Sequence, residues 1–161
     1  AEYDGPVYLR FGRPKMPVFT APDQEFVIGK AWHITEGFDV SIFATGHLVW
    51  KAIEAGKQLA EKGYSAEIIN LHTIKPLDVE AILTSVNKTK CAVTAEEHQL
   101  NGGLGDAVAH VLSTNQPAPL EIVAVQDQFG ESGKPEELMR KYGIDTPNIV
   151  DAALKAISRK A

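Results

Sequence analysis

From Phe26 onward, two kinds of pattern alternate along the chain. Asp39-Val40-Ser41-Ile42-Phe43-Ala44-Thr45 is a short, largely apolar run with β-branched and aromatic residues, which predicts a strand, and Gly46 ends it. Leu48, Val49, Ala52, Ile53, Gly56, Leu59 and Ala60 then recur at helical spacing with Lys51, Lys57, Gln58, Glu61 and Lys62 between them. That spacing predicts an amphipathic helix stopped by Gly63. The cycle repeats. Residues 66–71 read as a strand, and Val79, Ile82, Leu83 and Val86 form one helical face behind Pro76 and Asp78. Residues 91–95 are the next strand, and Leu104, Ala107, Val108, Val111 and Leu112 form a stripe behind the Gly102-Gly103 turn. Residues 120–125 are the last strand. Two helices close the chain, one opening at Pro135-Glu136-Glu137 and stopped by Gly143, the other at Thr146-Pro147, with Thr146 as N-cap and Pro147 in the first helical position.

Strands alternating with amphipathic helices imply right-handed crossovers and a mostly parallel sheet covered on both faces. Ala31-Trp32-His33-Ile34-Thr35-Glu36 precedes any crossover helix and is expected to be an antiparallel edge strand. Residues 23–161 are therefore expected to form one three-layer α/β/α domain with a mostly parallel five-stranded sheet. Residues 1–22 differ. Pro6-Val7-Tyr8-Leu9-Arg10-Phe11 has the content of a strand, but Gly12-Arg13-Pro14-Lys15-Met16-Pro17 breaks any ladder beyond it. A lone strand cannot bury its own apolar face, so this segment is expected to pack on a neighbouring domain. The opening Ala1-Glu2-Tyr3-Asp4, without Met, reads as the middle of something longer or as a trimmed terminus. There is no internal repeat and no low-complexity tract.

Composition narrows the function. The 161 residues suit one core, and 44% hydrophobic content fills it without a metal or disulfide staple. With 16 Lys and Arg against 21 Asp and Glu, the net charge is −5, which argues against nucleic acid or an anionic membrane as partner. Cys91 is the only cysteine, so neither an intrachain disulfide nor a cysteine-ligated metal site can be assembled from one chain, and a reducing, cytoplasmic setting fits. No run reaches the roughly 18 apolar residues of a membrane span.

The candidate chemistry is thin. Gly102-Gly103-Leu104-Gly105 stands between a strand and a helix, where free N–H groups and the helix dipole favour an anion, but Val108 replaces the third glycine of a dinucleotide fingerprint and Asp106 repels a phosphate. A tight turn with close packing is the plainer reading, and the two stay open. Lys134 after Gly133 lacks the upstream glycine and the following Ser or Thr of a phosphate-binding loop. Glu96-Glu97-His98 lies at the carboxyl end of a strand, where α/β sheets bind ligands. Neighbouring residues of a strand face opposite ways, so the two glutamates are expected to serve hydrogen bonding and capping. His33, His47, His72 and His110 have no ligand spacing, and Cys91 sits in an apolar run where burial quietens it. No catalytic, cofactor-binding or metal-ligating residue is expected. Arg13 is the exception of interest: held between Gly12 and Pro14 beside an interdomain crevice, its guanidinium can grip a phosphate or form an ordinary ion pair.

Taken together, five segments resemble the C-terminal part of transketolase: residues 5–14 (Gly-Pro-Val-Tyr-Leu-Arg-Phe-Gly-Arg-Pro), 26–31, 71–78 (Leu-His-Thr-Ile-Lys-Pro-Leu-Asp), 95–105 with its Glu-Glu-His and Gly-Gly-Leu-Gly, and 129–138 (Phe-Gly-Glu-Ser-Gly-Lys-Pro-Glu-Glu-Leu). The resemblance covers essentially the whole chain. It is looser to deoxyxylulose-phosphate synthase and the beta subunits of 2-oxo acid dehydrogenases. It implies that residues 1–22 are the last strand and exit of a pyrimidine-binding domain missing here, and that residues 23–161 are a non-catalytic C-terminal domain that helps a homodimer form. It implies thiamine diphosphate and magnesium held by the missing domains, since the Gly-Asp-Gly motif for them does not occur in this chain. The expected activity of the whole enzyme is two-carbon ketol transfer between sugar phosphates, as in the pentose phosphate pathway, with this chain alone inactive. Arg13 matches the family arginine that contacts the substrate phosphate; Arg10 has no such match and is expected to be structural. A separate subunit and a piece cut from a longer polypeptide both remain open, and the orphan strand favours the cut. A stand-alone anion-binding module is the alternative of another class.

Overall fold

The computed structural model describes residues 3–160. Five strands and five helices follow in the order β1 (Trp32–Thr35), β2 (Val40–Ala44), α1 (Leu48–Glu61), β3 (Ala66–Asn70), α2 (Val79–Thr89), β4 (Ala92–Gln99), α3 (Leu104–Asn115), β5 (Leu120–Val125), α4 (Pro135–Lys141) and α5 (Thr146–Ser158). The strands form one sheet in the order β1-β3-β2-β4-β5. β1 runs antiparallel to β3, and the β3–β2, β2–β4 and β4–β5 pairs are parallel. This is the predicted three-layer α/β/α architecture with its single antiparallel edge.

Every residue of β2 is buried because the sheet is covered on both faces, which is why its sequence is a largely apolar run, broken only by the hydrogen-bonded Ser41, rather than an alternation. On one face α1 and α5 pack Leu48, Ala52, Leu59, Ile149 and Ala153 onto Val40, Ile42 and Val93. On the other, α2 and α3 bring Ile82, Val86, Leu104 and Val108 against Phe43, Ile69 and Ala92. Gly63, at φ +85°, closes α1 as the sequence suggests. Asp78 caps α2 by accepting from the Ala81 N–H at 3.2 Å, and its other oxygen accepts from the Ala31 N–H at 2.9 Å, tying the entry of β1 to the sheet.

Two expectations change. The N-cap of α5 is Asp145, not Thr146: its carboxylate accepts from the Thr146 N–H at 2.8 Å in a capping box with Asn148. Thr146 is left free to donate its hydroxyl to Glu54 at 3.1 Å, so the acidic side chain takes the orphan amides and the hydroxyl binds a neighbouring helix. Residues 6–11 form no ladder. Tyr8 and Phe11 are 90% and 84% exposed, because a strand needs a neighbour's backbone groups and the described chain supplies none there. Beyond them Phe19 stacks on Trp32 and Trp50, with ring centroids 6.1 and 6.3 Å apart, and pins the connecting segment to the domain. No helix among the described residues is long and apolar enough to cross a membrane. Ala1 and Glu2 of the trimmed-terminus reading lie outside the described residues.

Candidate functional site

The connections from β2 and β4 leave toward opposite edges of the sheet, so the carboxyl ends of these neighbouring strands flank the point where strand order reverses. Two carboxylates stand there, sent to different tasks by the alternation of the strand. Glu96 is 3% exposed and accepts from the Leu104 N–H at 2.7 Å and the Gly105 N–H at 2.8 Å, the first amides of α3. A fixed anion thus sits at the positive end of the helix. A Cβ on Gly103 would lie 2.2 Å from Glu96 Oε2, so the glycine is the room in which the carboxylate fits. The Gly102 N–H is also taken, by Asp106 at 2.6 Å. The turn therefore serves an internal anion, and Glu96 takes the Leu104 and Gly105 amides that an external phosphate would need.

Glu97 faces the other way and accepts from His47 Nδ1 at 2.8 Å. His47 is the N-cap residue of α1, in the short loop after β2, and its side chain is 13% exposed. The N-terminal segment closes over this pair. Arg10 donates from Nη2 to the Glu97 carbonyl at 3.1 Å, which gives Arg10 the structural role expected of it. Gly12 lies so near the imidazole that a Cβ there would be 1.9 Å from His47 Nε2 and 2.0 Å from Cε1. Arg13, the next residue, is exposed and makes no hydrogen bond or ion pair among the described residues. The sequence pointed to Arg13 and to Glu96-Glu97, and the structure brings Glu97 within one residue's reach of Arg13 through Gly12 and His47. Spacing alone gives His47 no partner; its signal is its place at the N-cap of α1, in the short loop after the strand that borders the reversal point.

The remaining polar clusters are structural. His33, Glu36 and Glu67 are the one group of three metal-capable side chains among the described residues, with ligand atoms within 4.8 Å of one another. Lys88 already occupies it, its ammonium 2.9 Å from both Glu36 and Glu67. Hydrogen bonds to these two carboxylates hold the Lys88 pKa above its usual value, and that to Lys88 holds Glu36 below. With the Lys88 ammonium between the two carboxylates, this donor set fits neither magnesium nor a diphosphate. Burial pushes the His72 pKa down as its ring packs on Phe26, centroids 4.3 Å apart. Cys91 is fully buried, and burial raises its thiol to about 11, so it is no nucleophile at neutral pH.

Residues 29–149 match the family model described as transketolase, C-terminal domain. The chain is 45% identical over 158 residues to the 6-deoxy-6-sulfo-D-fructose transketolase subunit SqwH of Clostridium sp. (strain MSTE9), covering 98% of this chain and 49% of that protein. It is 37% identical over 166 residues to 1-deoxy-D-xylulose-5-phosphate synthase 1 of Geobacter sulfurreducens, covering 98% of this chain and 25% of that one. Among solved structures, a split gene transketolase described as an inactive beta4 tetramer superimposes with a TM-score of 0.87 at 42% identity, over 90% of this chain and 48% of that chain. The chain spans about half the length of the transketolase subunits it matches.

Proposed function

Because the chain belongs to the transketolase C-terminal domain family, we propose that it is the carboxyl-terminal part of a thiamine-dependent transketolase, inactive alone, that contributes Arg13 to the grip on a sugar phosphate. Residues 1–22 are then the exit from a pyrimidine-binding domain, and the exposed Val7, Tyr8, Leu9 and Phe11 are the side chains that domain would cover. The observation that carries the reading is the solved neighbour, a chain described as a split gene transketolase in an inactive beta4 tetramer, about half of which this chain matches. That likeness supports self-association of this chain and its silence without the upstream domains.

Arg13 supports the reading through its setting. A guanidinium with no partner among the described residues, borne on an arm docked at the reversal point of the sheet, is free to take two oxygens of a phosphate at once. Its part is orientation of the sugar, which lowers the barrier without making or breaking a bond. Thiamine diphosphate and magnesium belong to the upstream domains in this proposal.

Identity to the deoxyxylulose-phosphate synthase favours a second reading, condensation of pyruvate with a sugar phosphate. One assay separates the two. With thiamine diphosphate and magnesium, this chain and a polypeptide restoring the upstream domains are each given xylulose phosphate with ribose phosphate, or pyruvate with glyceraldehyde phosphate. Ketol transfer by the restored protein alone, without pyruvate turnover, is the expected result; turnover of pyruvate would replace the proposal by the second reading.

A further inference from the structure

The contacts around Gly12 assign a role to two residues that touch no substrate. We infer that His47, held by Glu97, is a positioning residue: it forms the seat on which the backbone of Gly12 rests, and it thereby places Arg13 for a phosphate-bearing substrate. The inference rests on the proposed phosphate grip of Arg13 and extends it from one residue to the device that aims it.

Three contacts converge within four residues of the arm. Arg10 anchors its near side to the Glu97 carbonyl at 3.1 Å, and the carboxylate of the same Glu97 fixes the imidazole at 2.8 Å. A carboxylate can only accept, so Nδ1 carries the proton and the ring is held in one orientation. Gly12 then approaches the outer edge of that ring more closely than any residue with a Cβ could. The approach explains why glycine stands there although its φ is not in the left-handed region. Pro14 stiffens the chain on the far side of Arg13. The arm has no ladder and buries little apolar surface, so these contacts, with Phe19 further on, are what fix it to the domain. His47 itself is tied to the sheet and helix, as the N-cap residue of α1 and two residues after Thr45, whose N–H donates to the Ala95 carbonyl at 3.1 Å.

The test uses the enzyme reconstituted with its upstream domains and a double-mutant cycle. Gly12→Ala, His47→Ala, the double variant and Arg13→Ala are compared by KM for xylulose phosphate and for hydroxypyruvate, which has no phosphate. Gly12→Ala drives a methyl into the ring, and His47→Ala removes the ring; each is expected to raise KM for xylulose phosphate on the order of tenfold, with hydroxypyruvate unchanged. In the double variant the methyl has room, so its KM should match that of His47→Ala and not the product of the two effects. Effects that multiply, or that fall equally on both donors, would overturn the seat, as would variants that behave like the parent while Arg13→Ala discriminates between donors. If Arg13→Ala fails to discriminate, the phosphate grip itself is wrong and the seat goes with it. Unfolding midpoints of the four variants identify any general loss of structure, which would move both donors together.

Discussion

Gly103 has no Cβ because the carboxylate of Glu96 stands where one would be, 2.2 Å from Oε2. The pair joins the end of β4 to the start of α3 through two amide hydrogen bonds in a buried setting. Gly103→Ala should therefore lower stability by about 1–3 kcal/mol, the range for overpacking. Glu96→Gln keeps the shape but turns an NH2 toward an amide, and should cost about 1–3 kcal/mol. Urea unfolding midpoints measure both. Because the helix start is filled from within, inorganic phosphate should shift neither midpoint.

Asp145 caps α5 and meets Lys51 at 3.0 Å. Burial raises its pKa, but the Lys51 hydrogen bond, the Thr146 N–H and the nearby charges of Lys51 and Arg140 outweigh burial and hold it below its usual 3.8. The folded state thus favours the ionised form. Asp145→Ala should lose about 1–2 kcal/mol at neutral pH. The difference from the parent should shrink only as pH falls below 3.8 through the folded pKa, where both forms of the cap are neutral. Unfolding curves of the two proteins across pH 2–7 check the sign.

The Cys91 thiol has the opposite linkage. Its pKa rises from 9.0 to about 11 in the folded chain, first through burial, so the folded state keeps a proton that the unfolded state gives up. Stability should fall as pH climbs from about 9 to 11, by about 2–3 kcal/mol beyond the slope shown by Cys91→Ala. At pH 8 a thiol reagent should label the native chain far more slowly than the urea-unfolded chain.

For Arg13, the phosphate-dependent part of substrate binding is the readout. In the reconstituted enzyme Arg13→Ala should raise KM for a phosphorylated ketose by about 10- to 100-fold, the worth of a charge-assisted pair, and leave hydroxypyruvate almost unaffected. Equal effects on both would remove the arginine from the phosphate site.

Much of the scaffold could be read from spacing alone. The largely apolar run of β2, the lysine-flanked stripe of α1 and the strand that precedes any crossover helix each carried a local signal of its element. The ends were harder. Asp145 and Thr146 are both good caps, and only the packing of Glu54 decides between them. The strand-like content of residues 6–11 could not show whether a ladder partner is at hand. Glu96 was legible as a polar residue at the right edge, and even as a cap, because its target lies only eight residues on. His47 was not: its partners Gly12 and Glu97 are distant in sequence, and no pattern of one or two turns connects them.

Phe19, wedged beside Trp32 and Trp50, has a consequence for how firmly the seat must hold. Residues 13–18 are all that separate this clamp from Gly12, and at about 3.5 Å per residue the leash is short. Were the arm to lift off, its return would be a search within a small volume, equivalent to a local concentration in the millimolar range or above. The contact at His47 thus needs little affinity of its own. A marginal seat on a short leash is therefore enough to keep Arg13 beside the domain most of the time.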